Sequence, residues 1–305
     1  MTKKNGRPVI FGEVLFDRFP EDNAVLGGAP FNVAWHLQGF GSSPLFLSRV
    51  GDDDPGESVR QAMTDWGLDV SGLQTDAEHP TGSVEIKMTG NKHSFNILPD
   101  QAYDHIDIHQ SREAIPEEPS LFYHGTLIMR TDKVRRALGG LLSVTSLPVF
   151  VDVNLRDPWW RAEDLPSVLK RARWAKVNDE ELETISDHHG LGAGSLENTA
   201  RQLQAEYELE FLIVTLGEQG ALCFDGSQDV VEVTPQPQEE VVDTVGAGDA
   251  FSSVVLQGLL QGWSMRLTME RAQAFAARIC GQRGATRADR GLYSEMLQEW
   301  ARHPA

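Results

Sequence analysis

The sequence predicts an α/β protein of three layers, with helices on both faces of a mostly parallel sheet and a small β appendage. Three observations carry this. Short apolar runs alternate with amphipathic helical patterns along all 305 residues, as expected for a parallel sheet covered on both faces. One segment, Thr81–Ile97, breaks that rhythm with a two-residue alternation. A glycine-rich turn, Asp243-Thr244-Val245-Gly246-Ala247-Gly248-Asp249-Ala250-Phe251, joins a strand-like run to an apolar helical run.

In chain order, Val9–Leu15 reads as the first buried strand and Phe31–Gln38 as the helix after it. Leu45–Val50 is the next strand and Gly56–Asp65 its helix. Within Thr81–Ile97, Val84, Ile86 and Met88 alternate with polar residues. Thr89-Gly90-Asn91-Lys92 then interrupts, and Phe95 and Ile97 resume, so this is a hairpin with one apolar face. Strand Leu121–His124 precedes helix Lys133–Leu142. Strands Val149–Val153 and Trp174–Val177 follow, then helix Asn198–Tyr207, strand Phe211–Thr215 and helix Ala250–Leu260. No composition break, long linker or repeat divides the chain, so residues 1–305 are expected to form one domain. Ligands of such sheets bind at the carboxyl ends of the strands, and most candidate site residues follow a strand directly.

Composition narrows the partners. Hydrophobic residues make up 40% and charged residues 24%, the balance of an ordinary soluble protein with a real core. A formal net charge of −18 argues against nucleic acid and anionic membrane. No apolar run approaches the ~20 residues that span a bilayer, and the amino terminus runs into a strand without a signal-peptide core. Cys223 and Cys280, the only cysteines, sit in apolar surroundings and read as reduced thiols. The expected location is cytoplasmic.

In the turn at 243–251, Gly246 and Gly248 let backbone N–H groups point inward without Cβ obstruction. The helix that starts near Asp249 adds unpaired amides and a positive dipole end. Together they make a pocket for a phosphate, or for the charge that builds on one during transfer. Asp249 at its mouth suits a base that removes a proton from an attacking hydroxyl, and the helix field is expected to hold it ionised. Phe251 stands where a dinucleotide fingerprint needs its third glycine, and no P-loop pattern occurs.

Other constellations are less specific. Gly27-Gly28-Ala29-Pro30-Phe31-Asn32 offers close backbone approach, and Asn32 brings both a donor and an acceptor, which suits a polyol. Asp17 by itself is an ordinary strand-end carboxylate. Arg156 is either a loop cap or a group that neutralises phosphate. Asn178 and Glu181, three apart on an opening helical turn, read from spacing as a helix cap, though their oxygens also suit Mg²⁺. Thr215-Leu216-Gly217-Glu218-Gln219-Gly220 is a tight turn able to seat phosphates or ribose. Arg49–Gly56 is a turn before a helix, with the wrong spacing for an EF-hand loop. His188-His189 is expected in an exposed loop.

The run at 243–251 resembles the carboxyl-terminal motif of the ribokinase-like (PfkB) carbohydrate kinases, and Gly27–Ala34 resembles their amino-terminal motif. The resemblance extends from about Arg7 to about Glu295. Asn154-Leu155-Arg156-Asp157-Pro158-Trp159-Trp160 and His124-Gly125-Thr126 are similar to segments of the bacterial fructokinases of that family. The resemblance implies a ribokinase-like α/β/α fold with a β lid formed by roughly residues 12–24 and 81–103. It implies an ATP-dependent kinase with Asp249 as base and the amides of Gly246, Ala247 and Gly248 as anion hole. Asp17, Gly27, Gly28, Asn32, His124 and Arg156 would then contact the sugar, most closely fructose. Thr215, Gly217, Gly220, Gly248 and Ala285 would contact ATP, together with Asn178. Asn178 and Glu181 would place Mg²⁺ through water, and Asp243 would help to hold K⁺. A homodimer through the lid is a further expectation. The alternatives are another sugar or a nucleoside (ribose, 2-keto-3-deoxygluconate), and a non-catalytic nucleotide- or sugar-binding module.

Overall fold

The computed structural model describes residues 6–19, 24–89, 92–190, 194–235, 242–281 and 283–302. Gly90 and Asn91 of the expected hairpin turn, and residues 20–23 of the expected lid, lie outside these described residues. The strands are β1 (Arg7–Phe11), β2 (Leu15–Arg18), β3 (Ala24–Gly27), β4 (Leu45–Gly51), β5 (Leu73–Asp76), β6 (Gly82–Thr89) and β7 (Lys92–Ile97). They continue with β8 (Pro119–His124), β9 (Val149–Asp152), β10 (Trp174–Asn178), β11 (Phe211–Thr215), β12 (Ala221–Phe224) and β13 (Val231–Val233). The helices are α1 (Ala29–Gly39), α2 (Asp54–Trp66), α3 (Ile108–Ala114), α4 (Asp132–Val144) and α5 (Leu165–Leu169). After these come α6 (Asp179–His189), α7 (Leu196–Glu206), α8 (Ala247–Gln261), α9 (Met265–Cys280) and α10 (Arg290–Arg302).

Nine strands form the main sheet in the order β13-β12-β11-β10-β9-β8-β1-β4-β5. From β11 to β5 every pairing is parallel, and β12 and β13 add an antiparallel edge. Alternate residues of one strand serve opposite cores, which is why the strands read as unbroken apolar runs. Ile10, Phe46, Phe150 and Trp174 pack with α1, α2, α8, α9 and α10. Val9, Leu47, Val151 and Val177 pack with α4, α5, α6 and α7. His124, Asn178 and Thr215 end β8, β10 and β11 at the same side of the sheet.

A second sheet, β3-β2-β6-β7, contains the Thr81–Ile97 hairpin. Val84 and Ile86 are buried, and among the described residues the large apolar side chains that this sheet exposes include Phe95 (58% exposed) and Val25 (37%). The run Val9–Leu15 corrects the sequence reading, because it is not one strand. The Gly12 N–H makes a last bond to the Leu47 carbonyl of β4 (3.1 Å), Glu13 and Val14 turn inward, and Leu15 pairs with Gly27 and Gly82 of the small sheet. Continuous hydrophobicity does not register a change of sheet. His188 and His189 likewise sit in the last turn of α6, closed by the left-handed Gly190, and not in a loop. Cys223 and Cys280 are free thiols, as expected.

The roots of the small sheet are fixed by a buried ion pair. Arg130 Nε and Nη2 donate to both oxygens of Asp104 (2.7 and 2.5 Å), and each side chain is 1% exposed. The guanidinium lies between the rings of Tyr103 and Trp159, at 4.7 and 4.6 Å, and also donates to the Leu98 carbonyl just beyond β7 (2.8 Å). Breaking such a pair from one side leaves an uncompensated charge indoors. Asp104→Asn and Arg130→Met should each destabilise by roughly 3–5 kcal/mol, and the double variant by less than the sum. Thermal unfolding of the four proteins measures the coupling; additive losses would show that the two side chains act separately.

Candidate active site

The amino ends of α1 and α8 meet at the carboxyl ends of β1, β9 and β10. Gly28 caps α1 with φ 109°, and a Cβ there would stand 2.7 Å from the Glu13 carbonyl oxygen, so the chain can pass only as glycine. Asn32 follows one turn later, its N–H on the Gly28 carbonyl (2.8 Å). Its side chain is buried and donates from Nδ2 to Asp249 Oδ2 at 2.8 Å, while Asn32 Oδ1 has no partner. One hydrogen bond thus joins the two motifs across 217 residues of sequence.

Asp249 lies in the first turn of α8, whose cap Gly246 has φ 81°. A Cβ on Gly246 would fall 2.3 Å from that of Ala285, so the turn and the loop at 283–286 are in close contact. Ala250 N–H is on the Gly246 carbonyl (2.8 Å), and Ala247 N–H makes a long bond back to Thr244 (3.3 Å). The first-turn amide of Gly248 has no helical carbonyl to reach. Asp249 is half-buried, and burial pushes its carboxyl up to about 7, with the Asn32 bond opposing. The sequence led us to expect the helix field to hold Asp249 ionised; burial acts against that field.

Two neighbouring acids behave alike. Glu13, 2% exposed with Oε2 unpartnered, is raised to about 7 by burial and by the charge of Asp249. Asp17, on β2, is raised to about 6 by burial, with Arg156 opposing. Arg156 itself is exposed, yet its charge bears on Glu13, Asp17 and Asp249 together.

Beneath the α8 turn lies a group that the sequence reading missed. Lys176 on β10 is 6% exposed and bonds Asp152 of β9 at 2.6 Å. Its Nζ is 3.8 Å from the point where a Cβ on Gly248 would sit. Asp152 Oδ2 also takes the hydroxyls of Ser252 (2.7 Å) and Tyr123 (3.3 Å). A lysine inside an apolar strand, paired in register with an aspartate one strand away, was the available signal.

Several expected contacts look different in three dimensions. His124 is 1% exposed, donates from Nδ1 to the Gly125 carbonyl (2.9 Å), and is lowered to about 4 by burial. It is therefore a buried, neutral imidazole tied to its own loop. Gly220 is buried against the Val233 carbonyl of β13 and serves strand packing, whereas Gly217, φ 57°, faces open space. Thr215 Oγ1 points to the Val177 carbonyl (3.4 Å). The Ala285 side chain fills the seat of Gly246, and Asp243 ties the same two segments by accepting from Val245 N (3.0 Å) and Gly284 N (3.1 Å).

Asn178 and Glu181 form the helix cap that their spacing suggests. Asn178 Oδ1 accepts from Glu181 N (2.7 Å), and Glu181 Oε2 accepts from Asn178 N (2.9 Å). Glu181 Oε1 takes the amide of Leu155 (2.8 Å), fixing the loop that carries Arg156. Burial raises the Glu181 carboxyl, with Lys176 opposing.

Residues 11–290 match the pfkB family carbohydrate kinase model. Fructokinase-1 of Oryza sativa subsp. japonica is 27% identical over 318 residues, covering 94% of each chain. Aminoimidazole riboside kinase of Salmonella typhimurium is 29% identical over 294 residues, 91% of this chain and 88% of that one. In structure, the fructokinase of Vibrio cholerae O395 in its fructose, ADP and calcium ion bound form superimposes with a TM-score of 0.78 at 24% identity. That match covers 95% of this chain and 98% of the other, which shows the shared fold. The chain belongs to the pfkB family of carbohydrate kinases.

Proposed function

We propose that the protein transfers the γ-phosphate of ATP to a primary hydroxyl of a small sugar, most closely fructose, with Asp249 as general base. The observation that carries this reading is the Asn32–Asp249 bond. It fixes one carboxylate oxygen (2.8 Å) and leaves the other for a substrate hydroxyl at the head of an unpaired helix turn. Sugar hydroxyls need partners that both donate and accept. The free Oδ1 of Asn32, the Asp17 carboxylate and the Arg156 guanidinium supply these on neighbouring elements.

In the step itself, Asp249 takes the hydroxyl proton and the sugar oxygen forms a bond to the γ-phosphorus. The bond from that phosphorus to the β,γ-bridging oxygen breaks, and ADP leaves with the electron pair. Charge on the transferring group falls to the amides of Gly246, Ala247 and Gly248, with Ala247 giving up its long bond to Thr244. Lys176 adds a fixed positive charge under the same turn. Its pairing with Asp152 holds the ammonium in place, so no reorganisation is needed as charge develops.

The nucleotide would lie along Thr215, Gly217 and the loop at Gly284–Ala285, which packs on the catalytic turn. Mg²⁺, when bound, neutralises phosphate charge. Both oxygens of Glu181 already hold backbone amides, so Asn178 and Glu181 would reach the ion through water. Asp243, which joins the two loops, would share a K⁺ site. The four-stranded sheet would close over the sugar as a lid, excluding water as a rival acceptor, and Phe95 and Val25 are the side chains that would meet a second copy. A nucleoside acceptor is the second reading. What favours it is that a riboside kinase is as similar to this chain as the plant fructokinase is.

Asp249→Asn should keep fold and sugar binding while kcat falls by about 10²–10⁴, measured as Mg-ATP-dependent phosphorylation across a panel of fructose, ribose, 2-keto-3-deoxygluconate and nucleosides. Near-native turnover by the variant would remove Asp249 as base. Preference for a nucleoside would overturn the sugar, and ATP binding without any turnover would favour a binding module. The pH profile is a second check. A carboxyl raised to about 7 in the folded protein is an active base above that pH and is protonated below it. The kcat/KM of the free enzyme should therefore fall about tenfold per pH unit below neutrality. Lys176→Met removes a charge that favours the carboxylate and should move this limb to higher pH; an unmoved limb would show that Lys176 does not act on Asp249.

A further inference from the structure

We infer that His79, Asp100 and His105 form a site for one zinc-type divalent ion that clamps the roots of the small sheet. The three side chains offer ligand atoms that all lie within 4.8 Å of one another. They sit where it matters for that sheet: His79 precedes β6 by three positions, Asp100 follows β7 by three, and His105 ends the short turn at Ala102–His105. An ion shared by them would close the base of the β6–β7 hairpin as a staple.

The chemistry of His79 is already set for ligation. Its Nδ1 donates to Asp76 Oδ1 (3.0 Å), and Asp76 is 3% exposed and held by the amides of Glu78 and His79 and by Arg49. A carboxylate behind one ring nitrogen fixes the tautomer and aims the other nitrogen's lone pair outward, the usual support behind a metal-bound histidine. That lone pair, on Nε2, faces Asp100 Oδ1 at 3.7 Å. In the neutral tautomer two acceptors face each other there, at a distance too long for a hydrogen bond. Ligands about 2.0–2.1 Å from a tetrahedral Zn²⁺ stand about 3.3–3.4 Å apart, so a small inward shift seats the ion between them. Two imidazoles and one carboxylate favour zinc over Mg²⁺ or Ca²⁺, which take oxygen sets. A water would complete four-coordination.

His105 is the ligand that must adjust. Its Nε2 contacts Asp100 Oδ1 at 2.8 Å, and Lys133 Nζ stands 3.0 Å from its Nδ1. An ammonium donating to Nδ1 leaves the proton on Nε2, where the ion would bind. The rings of His79 and His105 are stacked with centroids 3.5 Å apart and planes at 16°. Since a metal lies in the plane of each imidazole, the stack opens on binding and the exposed Lys133 swings away.

This arrangement makes the test specific, and the test does not depend on the kinase reading. Chelator-treated full-length protein is titrated with Co²⁺, followed by its visible absorption, and then with Zn²⁺ in competition. We expect one equivalent to bind. His79→Gln and His105→Gln should each weaken binding at least tenfold, and Asp100→Asn similarly. His109→Gln should leave it unchanged. Lys133→Met should tighten binding several-fold, because the competing donor and its charge are gone; an adventitious surface site would not respond this way. Zn²⁺ should also slow amide hydrogen exchange in β6 and β7 of the wild type. Absence of Co²⁺ binding, or binding that survives the His79→Gln/His105→Gln double variant, would overturn the site. Binding without slower exchange would overturn the clamp.

Discussion

The site is organised around one electrostatic difficulty: too many carboxylates share too little water. Glu13, Asp17, Asp152 and Asp249 converge at the carboxyl ends of neighbouring strands, in a chain whose formal charge is already −18. Desolvation, reinforced by a neighbouring carboxylate in each case, raises Glu13 and Asp249 to about 7, and desolvation alone raises Asp17 to about 6. The fold answers with cations at graded depth. Lys176 is buried beneath the first turn of α8, Arg130 is buried beside the small sheet and Arg156 is exposed. Helix amides supply the rest of the positive potential. These fixed groups set a local positive potential against an overall field of the opposite sign.

The alternating strands and helices were legible because a parallel sheet imposes apolar character on both faces, and period and length suffice to find such elements. The Val9–Leu15 run defeated that reasoning. Its hydrophobicity continues unbroken while the backbone moves from one sheet to another at Glu13, and only pairing partners record the change. The edge strands β12 and β13 and the helices α9 and α10 were left without bounds, since short edges and mixed faces give weak periodicity.

At the site, what could be read was what the backbone demands. Gly28, Asn32, Gly246 and Asp249 carry constraints of turn geometry and helix initiation that leave a pattern in local sequence. Lys176 and Asp152 do not. Each is one polar residue in an apolar strand, and their meaning lies in a register between strands 24 residues apart. Asn178 and Glu181 show the converse, since their spacing announced a cap and the cap is there, holding the amide of Leu155. A residue pair can be indispensable to a site by fixing the loop that presents another side chain, and then its oxygens are already spoken for.

The contact between Gly246 and Ala285 has a mechanical consequence. The two segments touch with no room for a methyl group between them, and Asp243 bonds across the same junction. A displacement of the loop at 283–286 is therefore passed directly to the turn that carries Asp249. The loop at 283–286 and the first turn of α8 thus move as one mechanical unit, a lever and not two independent pieces.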